Sequence, residues 1–262
     1  MRLIGLLLLI AACSRRDSAP VVVALPTPDA GAAPAVRVPD SSLQLVTATV
    51  PAWDATTAEL RLWTRPSSAS PWLPAGPAWP ATVGRTGIAW GRGLHGDGAP
   101  AGRDGPLKRE GDGRSPAGLF AIGPAFGYAA TPPAGARMPY TPVDASWNCV
   151  DDPASAFYNR VLDARTVTPD WKSAEDMRRA DPLYAWVIEV RHNPSATPGG
   201  GSCIFLHVWA DPTDTTVGCT AMEEPRLAAL IAALDPASSP VFAQLTHADY
   251  DAVATTWGLP PR

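Results

Sequence analysis

The sequence has little net charge, few cysteines and only a short apolar run at its start, and each shortage excludes a class of protein. The formal net charge of the 262 residues is −4, with acidic and basic residues mixed along the chain, so nucleic acid is not an expected partner. The apolar run at residues 3–10 is too short to span a bilayer. The cysteines and histidines form no paired cluster at zinc spacing, so neither a metal nor another cofactor is expected.

Proline and glycine are abundant instead. The 30 prolines and 22 glycines are too many for a helical protein and predict β structure joined by many turns. Residues 43–50 and 58–65 alternate apolar and polar side chains, which is typical of strands in an antiparallel sheet. The first third of the chain shows no helical pattern.

The N-terminus has the form of an export signal. A positive charge at Arg2 precedes the apolar run, which ends in small residues before Cys13. This arrangement resembles the lipobox of bacterial lipoproteins, in which Cys13 would be lipidated and become the first mature residue. An ordinary signal peptide with a chance cysteine is the alternative. Residues 14–42 are rich in Pro, Ala, Val and Asp without periodicity and predict an extended tether. The folded domain is then expected over residues 43–262, held in the cell envelope by its lipid and facing the periplasm.

Three cysteines remain for the folded part, and in an exported protein two of them usually pair. Cys149 and Cys203 both adjoin loop signals, so they are the predicted disulfide. Cys219 is then a free thiol. A free thiol in an oxidising compartment is a liability unless it has a function.

The stretch around Cys219 is the strongest candidate for a reactive site. Residues 203–209 predict a buried strand on which His207 shares one face with Phe205 and Trp209. Turn residues follow, Asp211 and Asp214 among them, so the chain is expected to double back and bring Cys219 beside His207. A thiol next to an imidazole makes a nucleophile near neutral pH. The alternative is that both are ordinary core residues.

Other segments give coarser predictions. A capping box at Ser173 predicts a short helix over residues 173–180, and residues 183–191 predict a strand. A helix with Pro225 in its first turn should follow residue 223, and a last strand is expected at residues 240–245. Thr246 with Asp249 should cap a terminal helix that ends near Gly258.

Two further histidines and one glycine-rich loop need an interpretation. Residues 93–118 lack the strand, loop and helix context of a phosphate-binding loop, so a loop bordering a cleft is predicted. His95, within that stretch, is interpreted as a surface or loop histidine. His192, at a strand end, is a second-choice base.

Three separated motifs, in the expected order, resemble the L,D-transpeptidase catalytic domain, which has the YkuD-like fold. They are HVW…TTVGCTAM around Cys219, GDGRSPAG at residues 111–118, and NCVDDP…FYNRVLD at residues 148–163. The likeness covers residues 50–246. It implies a β-rich α+β fold in which curled antiparallel sheets, or a sandwich, surround a cleft with a few peripheral helices.

The resemblance also implies the roles of individual residues. Cys219 matches the family's nucleophile, His207 its general base, and Gly218 the residue whose neighbourhood supplies N–H groups to the oxyanion. The expected substrate-contacting residues are Thr216, Thr220, Trp209, Arg114 and Ser115. Two positions depart from the family: Val217 replaces a common His, and Thr220 stands where Arg or Asn often follows the nucleophile.

The activity implied is acyl transfer on peptidoglycan stem peptides by a monomer, ending in a cross-link or in L,D-carboxypeptidase cleavage. Two alternatives belong to other classes. One is an envelope lipoprotein that binds peptidoglycan without efficient catalysis. The other is a papain-type peptidase, which is disfavoured because its cysteine precedes its histidine along the chain.

Overall fold

The structure is a computed structural model that describes residues 36–262, and every structural statement below concerns that part of the chain. Cys13, the signal segment and residues 14–35 of the predicted tether lie outside the described residues. Residues 36–42 are described and pack on the fold. Val38 is buried, and its N–H donates to the carbonyl oxygen of Trp257 at 2.8 Å. The folded unit therefore begins before residue 43.

Strands are the main regular structure: 33% of the described residues are strand and 12% are helix, so the prediction of a mainly β fold is confirmed. The strands are β1 (Gln44–Val50), β2 (Thr57–Thr64), β3 (Leu73–Pro74), β4 (Trp79–Thr82), β5 (Ile88–Trp90), β6 (Arg92–Gly93), β7 (Gly96–Asp97), β8 (Ser115–Gly127), β9 (Tyr140–Pro142), β10 (Trp147–Val150), β11 (Val161–Asp163), β12 (Ala174–Asp176), β13 (Trp186–Val190), β14 (Phe205–Val208), β15 (Thr220–Met222) and β16 (Val241–Thr246). The helices are α1 (Glu224–Ala233) and α2 (His247–Trp257), with short 3₁₀ turns at Ala164–Thr166 and Pro236–Ser238.

The largest sheet closes on itself. Its hydrogen-bonded order runs β1, β16, β8, β13, β14, β15, β4, β2, and β2 pairs again with β1, which gives a barrel-like sheet. Closure leaves these strands paired on both sides, which removes the exposed edges that promote aggregation. The long strand β8 carries β5 and β9 as side branches.

The sheets, predicted to be antiparallel, are mostly so but also contain parallel pairs. β1 pairs with β16 in parallel, and β14 pairs with β15 in parallel. Parallel neighbours cannot be joined by a tight hairpin, and each pair here is joined by a longer path. Local alternation along a strand indicates which face is buried, but it does not give the direction of the neighbouring strand.

A second, small sheet lies beside the closed one and consists of β11, β10 and β12. The helix predicted from the capping box at Ser173 is wrong, because residues 174–176 form strand β12 of this sheet. Asn148, Cys149 and Val150 of β10 pair with Asp176, Glu175 and Ala174. Pairing with a distant strand thus overrides the weak local preference for a helix turn.

Both helices expected in the last third are confirmed. α1 carries Pro225 in its first turn and buries Leu227, Leu230 and Ile231. α2 is capped by Thr246, whose side chain accepts from the Asp249 N–H, and it ends at Gly258 with a positive φ of 69°. Among the described residues, no helix combines the length and apolar character needed to cross a membrane.

Candidate functional site

The candidate site is built on β14 and β15. In their parallel register Leu206 lies opposite Thr220, and His207 opposite Ala221. Cys219, one residue before β15, therefore lies beside Phe205 and on the diagonal from His207. Since paired residues share a face, the imidazole and the thiol are on the same side of the sheet. The chain does not simply double back as expected, because β14 and β15 run in parallel, but it places the two residues on one face of the sheet.

Cys219 is a buried free thiol. Cys149 and Cys203 form the predicted disulfide. Cys219 forms no disulfide in the described part of the chain, and 3% of its surface is exposed. The Phe205 N–H donates to its sulfur at 3.4 Å, and the sulfur lies 3.4 Å from the carbonyl oxygen of Cys203. Burial raises the pKa of the Cys219 thiol, and the Glu175 carboxylate raises it further. In this closed arrangement the thiol is held in its neutral form.

The backbone around Cys219 is fixed by two hydroxyl groups. Ser115 Oγ donates to the Cys219 carbonyl oxygen at 2.5 Å, and Thr216 Oγ1 donates to the same oxygen at 2.6 Å. Among residues 36–262, the Cys219 N–H donates no hydrogen bond within the protein. It is therefore a donor left over for a ligand oxygen.

Gly218 is required by the geometry of this turn. Its φ is +154°, and a Cβ at this position would lie 3.2 Å from the carbonyl oxygen of Arg114. Only glycine adopts this conformation without strain. The turn thereby presents the Cys219 backbone to the space in front of it.

His207 is a buried, neutral imidazole. Burial lowers its pKa to about 4. Its Nδ1 lies 2.8 Å from the carbonyl oxygen of Val208, so Nδ1 carries the hydrogen and Nε2 keeps its lone pair. The group that orients the ring is thus this carbonyl. Asp211, in the loop that follows β14, accepts hydrogen bonds from Thr213 and not from the ring. Within the described part of the chain, no hydrogen bond joins the ring to the Cys219 sulfur.

A cleft of about 240 Å³ opens in front of Cys219. Its wall includes both Cys203 and Gly218, and the exposed Val217 lies at its rim. Its other lining residues are Arg85, Lys108, Glu110, Gly111, Asp151, Glu175, Ser202, Ile204 and Cys219. Three of them belong to the glycine-rich loop at residues 93–118, so the prediction that this loop borders a cleft is confirmed. His207 is not among the lining residues.

The charges of the cleft are unevenly compensated. Lys108 Nζ forms an ion pair with Asp112 Oδ1 at 2.5 Å. Among the described residues, Glu110, Asp151 and Glu175 have no such cationic partner, and Asp151 Oδ1 is buried without a hydrogen bond. Burial raises the pKa of Glu175 to about 7. The half-buried carboxyl of Glu175 accepts a hydrogen bond from the Tyr184 hydroxyl at 2.6 Å.

The residues predicted to contact substrate occupy other positions. Ser115 and Thr216 are buried and hold the Cys219 backbone, as described above. Thr220 Oγ1 donates to Gln244 Oε1 at 2.8 Å, within the interior. The Arg114 guanidinium donates to the carbonyl oxygens of Trp53 and Ile88, so it is occupied by the backbone. None of these side chains, nor Trp209, lines the cleft.

Two other histidines, His95 and His192, are structural. His95 lies in the turn between β6 and β7, which agrees with the loop position predicted, but it is buried, and its ring nitrogens lie 3.3 and 3.2 Å from the carbonyl oxygens of Leu119 and Gly91. His192 is buried as well, and burial lowers its pKa to about 3. Its ring contacts the Gly200 carbonyl and the Arg92 N–H, which uses both nitrogens. Neither ring lines the cleft.

Sequence reasoning missed Tyr184, Glu175, Glu110 and Asp151. Tyr184 stood in a predicted strand, and Glu175 stood in the wrongly predicted helix. Within residues 36–262, no group of three or more His, Cys, Asp or Glu side chains is placed to hold a metal ion. Comparisons with protein-family models, with curated proteins and with solved structures found no match to the chain.

Proposed function

We propose that this chain is a cysteine-dependent acyltransferase that acts on peptidoglycan stem peptides, with a fold of the YkuD-like type found in L,D-transpeptidases. The observation that carries the proposal is the position of Cys219. Its thiol lies at a cleft, on a turn whose carbonyl is held by two hydroxyls and whose N–H is free. The three sequence motifs that resemble the family support the substrate class. Lipidation at Cys13 and a periplasmic location are part of the same proposal.

The first half-reaction joins the sulfur to an acyl group. The Cys219 thiolate attacks the carbonyl carbon of the diaminopimelate residue in a tetrapeptide stem and expels D-alanine. The Cys219 N–H is placed to stabilise the oxyanion, and one such donor is typically worth about 3 kcal/mol. The second half-reaction transfers the acyl group from sulfur either to an amine of another stem, which gives a cross-link, or to water.

His207 is the general base that the resemblance implies, and its tautomer suits that role because Nε2 keeps a lone pair. Its lowered pKa keeps the ring neutral at pH 7 but makes it a weaker base than an ordinary histidine. Arg85, which is exposed at the cleft, has no ion-pair partner among the described residues. It is better placed than Arg114 to bind a carboxylate of the stem.

The test is digestion of muropeptides by the purified protein, compared with the Cys219→Ala variant by mass. Loss of the terminal D-alanine indicates a hydrolase, and dimers indicate a cross-linking enzyme. Both products should be absent with Cys219→Ala. Unchanged muropeptides with the wild-type protein would contradict the proposal.

A second candidate function is a peptidoglycan-binding lipoprotein without efficient catalysis. The raised pKa and 3% exposure of Cys219 favour it. Thiol labelling separates the two candidates. If the protein is an acyltransferase, the reagent should alkylate Cys219 rapidly at pH 7, and His207→Ala should slow this reaction. A labelling rate no higher than that of a free cysteine favours the binding protein.

A further inference from the structure

An acid–base pair that the resemblance does not supply lies beside Cys219. The Tyr184 hydroxyl donates to Glu175 Oε2 at 2.6 Å. Glu175 belongs to β12 of the small sheet, and it lines the same cleft as Cys219. Tyr184 is buried and packs in one apolar cluster with Cys219, Phe205 and the disulfide. The segment that carries Glu175 and Tyr184, nine residues apart, thus brings a carboxyl and a phenol to the thiol of the distant Cys219.

The direction of the hydrogen bond determines what the phenol can do. Because the Tyr184 hydrogen is donated to Glu175, the lone pairs of its oxygen can accept a hydrogen from another group. The two neighbouring groups also affect each other's pKa: Tyr184 lowers the pKa of Cys219, and Cys219 raises the pKa of Tyr184. The phenol therefore stands between the thiol and the carboxylate.

We propose that Glu175, acting through the hydroxyl of Tyr184, accepts the proton of Cys219 when the thiol attacks a carbonyl carbon. The thiol hydrogen, which faces the Cys203 carbonyl oxygen in the resting structure, turns to the Tyr184 oxygen and moves there while the phenolic proton moves to Glu175 Oε2. The sulfur electron pair forms the S–C bond, and the carbonyl π pair moves to oxygen. When the intermediate collapses, the C–N bond breaks and the proton returns by the same path to the leaving amine. Tyr184 is the catalytic residue of this pair, and Glu175 is the positioning residue behind it.

The alternative proton acceptor is His207, and two observations favour Glu175. Glu175 lines the cleft in front of Cys219, whereas His207 does not. A general base is also most effective when its pKa is close to the working pH. Burial brings the pKa of Glu175 to about 7 and takes that of His207 to about 4. The Tyr184 ring and the imidazole pack at 64° with their centroids 5.3 Å apart, so His207 supports the phenol.

Several charged groups face Glu175 and set its titration. Nearby carboxylates raise its pKa, whereas the guanidinium of Arg179 and the Tyr184 hydrogen bond lower it. The facing groups from other elements are Asp151, Glu110, Arg179, Tyr184 and, in the same cleft, Lys108 and Cys219. Because Lys108 is paired with Asp112, the environment of Glu175 is mainly acidic and apolar.

The test is the pH profile of Cys219 alkylation by iodoacetamide in the full-length protein, followed by the mass of the Cys219 peptide. Since thiol and carboxyl titrate as a coupled pair, the wild-type rate should rise through pH 7 and then level off. Glu175→Gln and Tyr184→Phe both interrupt the proton path. Each should remove the rise near pH 7 and slow alkylation at pH 7.5 at least about tenfold.

The same experiment has an opposite outcome if Glu175 is only a neighbouring charge. Removing a negative charge would then lower the pKa of Cys219, so Glu175→Gln would react faster than the wild type at pH 7.5. That result, or a Tyr184→Phe profile identical to the wild type, overturns the proposal. A wild-type profile without a rise near pH 7 overturns it without any variant.

Glu110→Gln is the matched control, because Glu110 is another carboxyl of the same cleft and raises the pKa of Glu175. This variant should move the rise to lower pH without removing it. The inference rests on the proposal that Cys219 is a nucleophile. Alkylation needs no peptidoglycan, however, so an inert muropeptide mixture would overturn the substrate class and leave the proton path standing.

Discussion

The two faces of β14 differ sharply in chemistry although they belong to one strand. Ile204, Leu206 and Val208 point into the large hydrophobic core that the closed sheet and both helices share. On the other face, Cys203 and Phe205 join a smaller cluster that includes Cys219. The first face is apolar throughout, whereas the second is bordered by an imidazole, a phenol and a carboxyl.

Burial has opposite consequences on the two faces. On the apolar face it stabilises the fold, by about 25 cal/mol for each Å² removed from water. On the other face it disfavours charged forms, which raises the pKa of Cys219, takes that of Glu175 to about 7 and that of His207 to about 4. One strand thus provides stability on one side and reactivity on the other.

Removal of the disulfide should give the largest effect. The disulfide ties the face of β14 that carries Phe205 and His207, here called the reactive face, to the small sheet. It links residues separated by 54 positions, and the chain-entropy model assigns such a loop about 4 kcal/mol. Replacing both Cys149 and Cys203 with Ser should lower the free energy of unfolding by about that amount, as measured by urea denaturation. Alkylation of Cys219 should also be slower in this variant, since Glu175 belongs to the small sheet that the disulfide holds in place. An unchanged reaction rate would show that the reactive face does not depend on this link.

A truncation on the apolar face should separate stability from reactivity. Leu206 is fully buried, so Leu206→Ala should cost about 3–4 kcal/mol through the lost contacts and the cavity. The alkylation rate of Cys219, measured at a temperature where the variant stays folded, should change less than about threefold. A larger change would mean that the two faces are coupled.

Acid should destabilise the protein through the reactive face. The folded pKa of His207, about 4, lies below its unfolded value of 6.5, so the unfolded chain binds the proton more tightly. Stability should therefore fall as pH drops from 6.5 to 4, by up to about 3 kcal/mol for this group. Denaturation of His207→Asn across this range should show a flatter dependence than the wild type.

Two other groups act in the same pH range and serve as internal references. His192, whose pKa burial lowers to about 3, should keep its own acid sensitivity in the His207→Asn variant. Glu175 has the opposite sign, because its pKa is raised from 4.5 to about 7, so its contribution to stability falls as pH rises between those values. Equal slopes for wild type and His207→Asn would show that His207 is not held neutral by the fold.

The smallest effect is expected from the hydroxyls that hold the Cys219 carbonyl. Ser115→Ala removes one of its two donors and should cost about 1–2 kcal/mol of stability. It should slow the acylation of Cys219 roughly tenfold, because the adjacent N–H is then less well positioned. Thr47→Val is the matched control: it removes a buried hydroxyl, hydrogen-bonded to Trp63, without changing this turn. Equal losses of acylation in both variants would contradict the positioning role.

The sequence predicted what depends on local periodicity. Alternation along β14 assigned Leu206 and His207 to opposite faces, and the Thr246 cap placed α2 correctly. The disulfide was also predicted from the sequence, because Cys149 and Cys203 both adjoin loop signals.

The features that sequence reasoning missed depend on distant partners. The parallel register of β14 and β15 is set by the path of the intervening loop, which residues 83–85 hold. Glu175 became a cleft residue only because β12 pairs with β10. The burial that moves its pKa comes from the assembled fold, so composition and spacing carried no sign of it.

The central claim is that Cys219 is an acylating nucleophile, and the most direct test is the mass of the intact protein after incubation with a tetrapeptide stem. The account predicts a covalent adduct on Cys219 equal to the stem without its terminal D-alanine. The adduct should be lost in Cys219→Ala and slower to form in Glu175→Gln. A wild-type protein that remains unmodified, with no D-alanine released, would contradict the account.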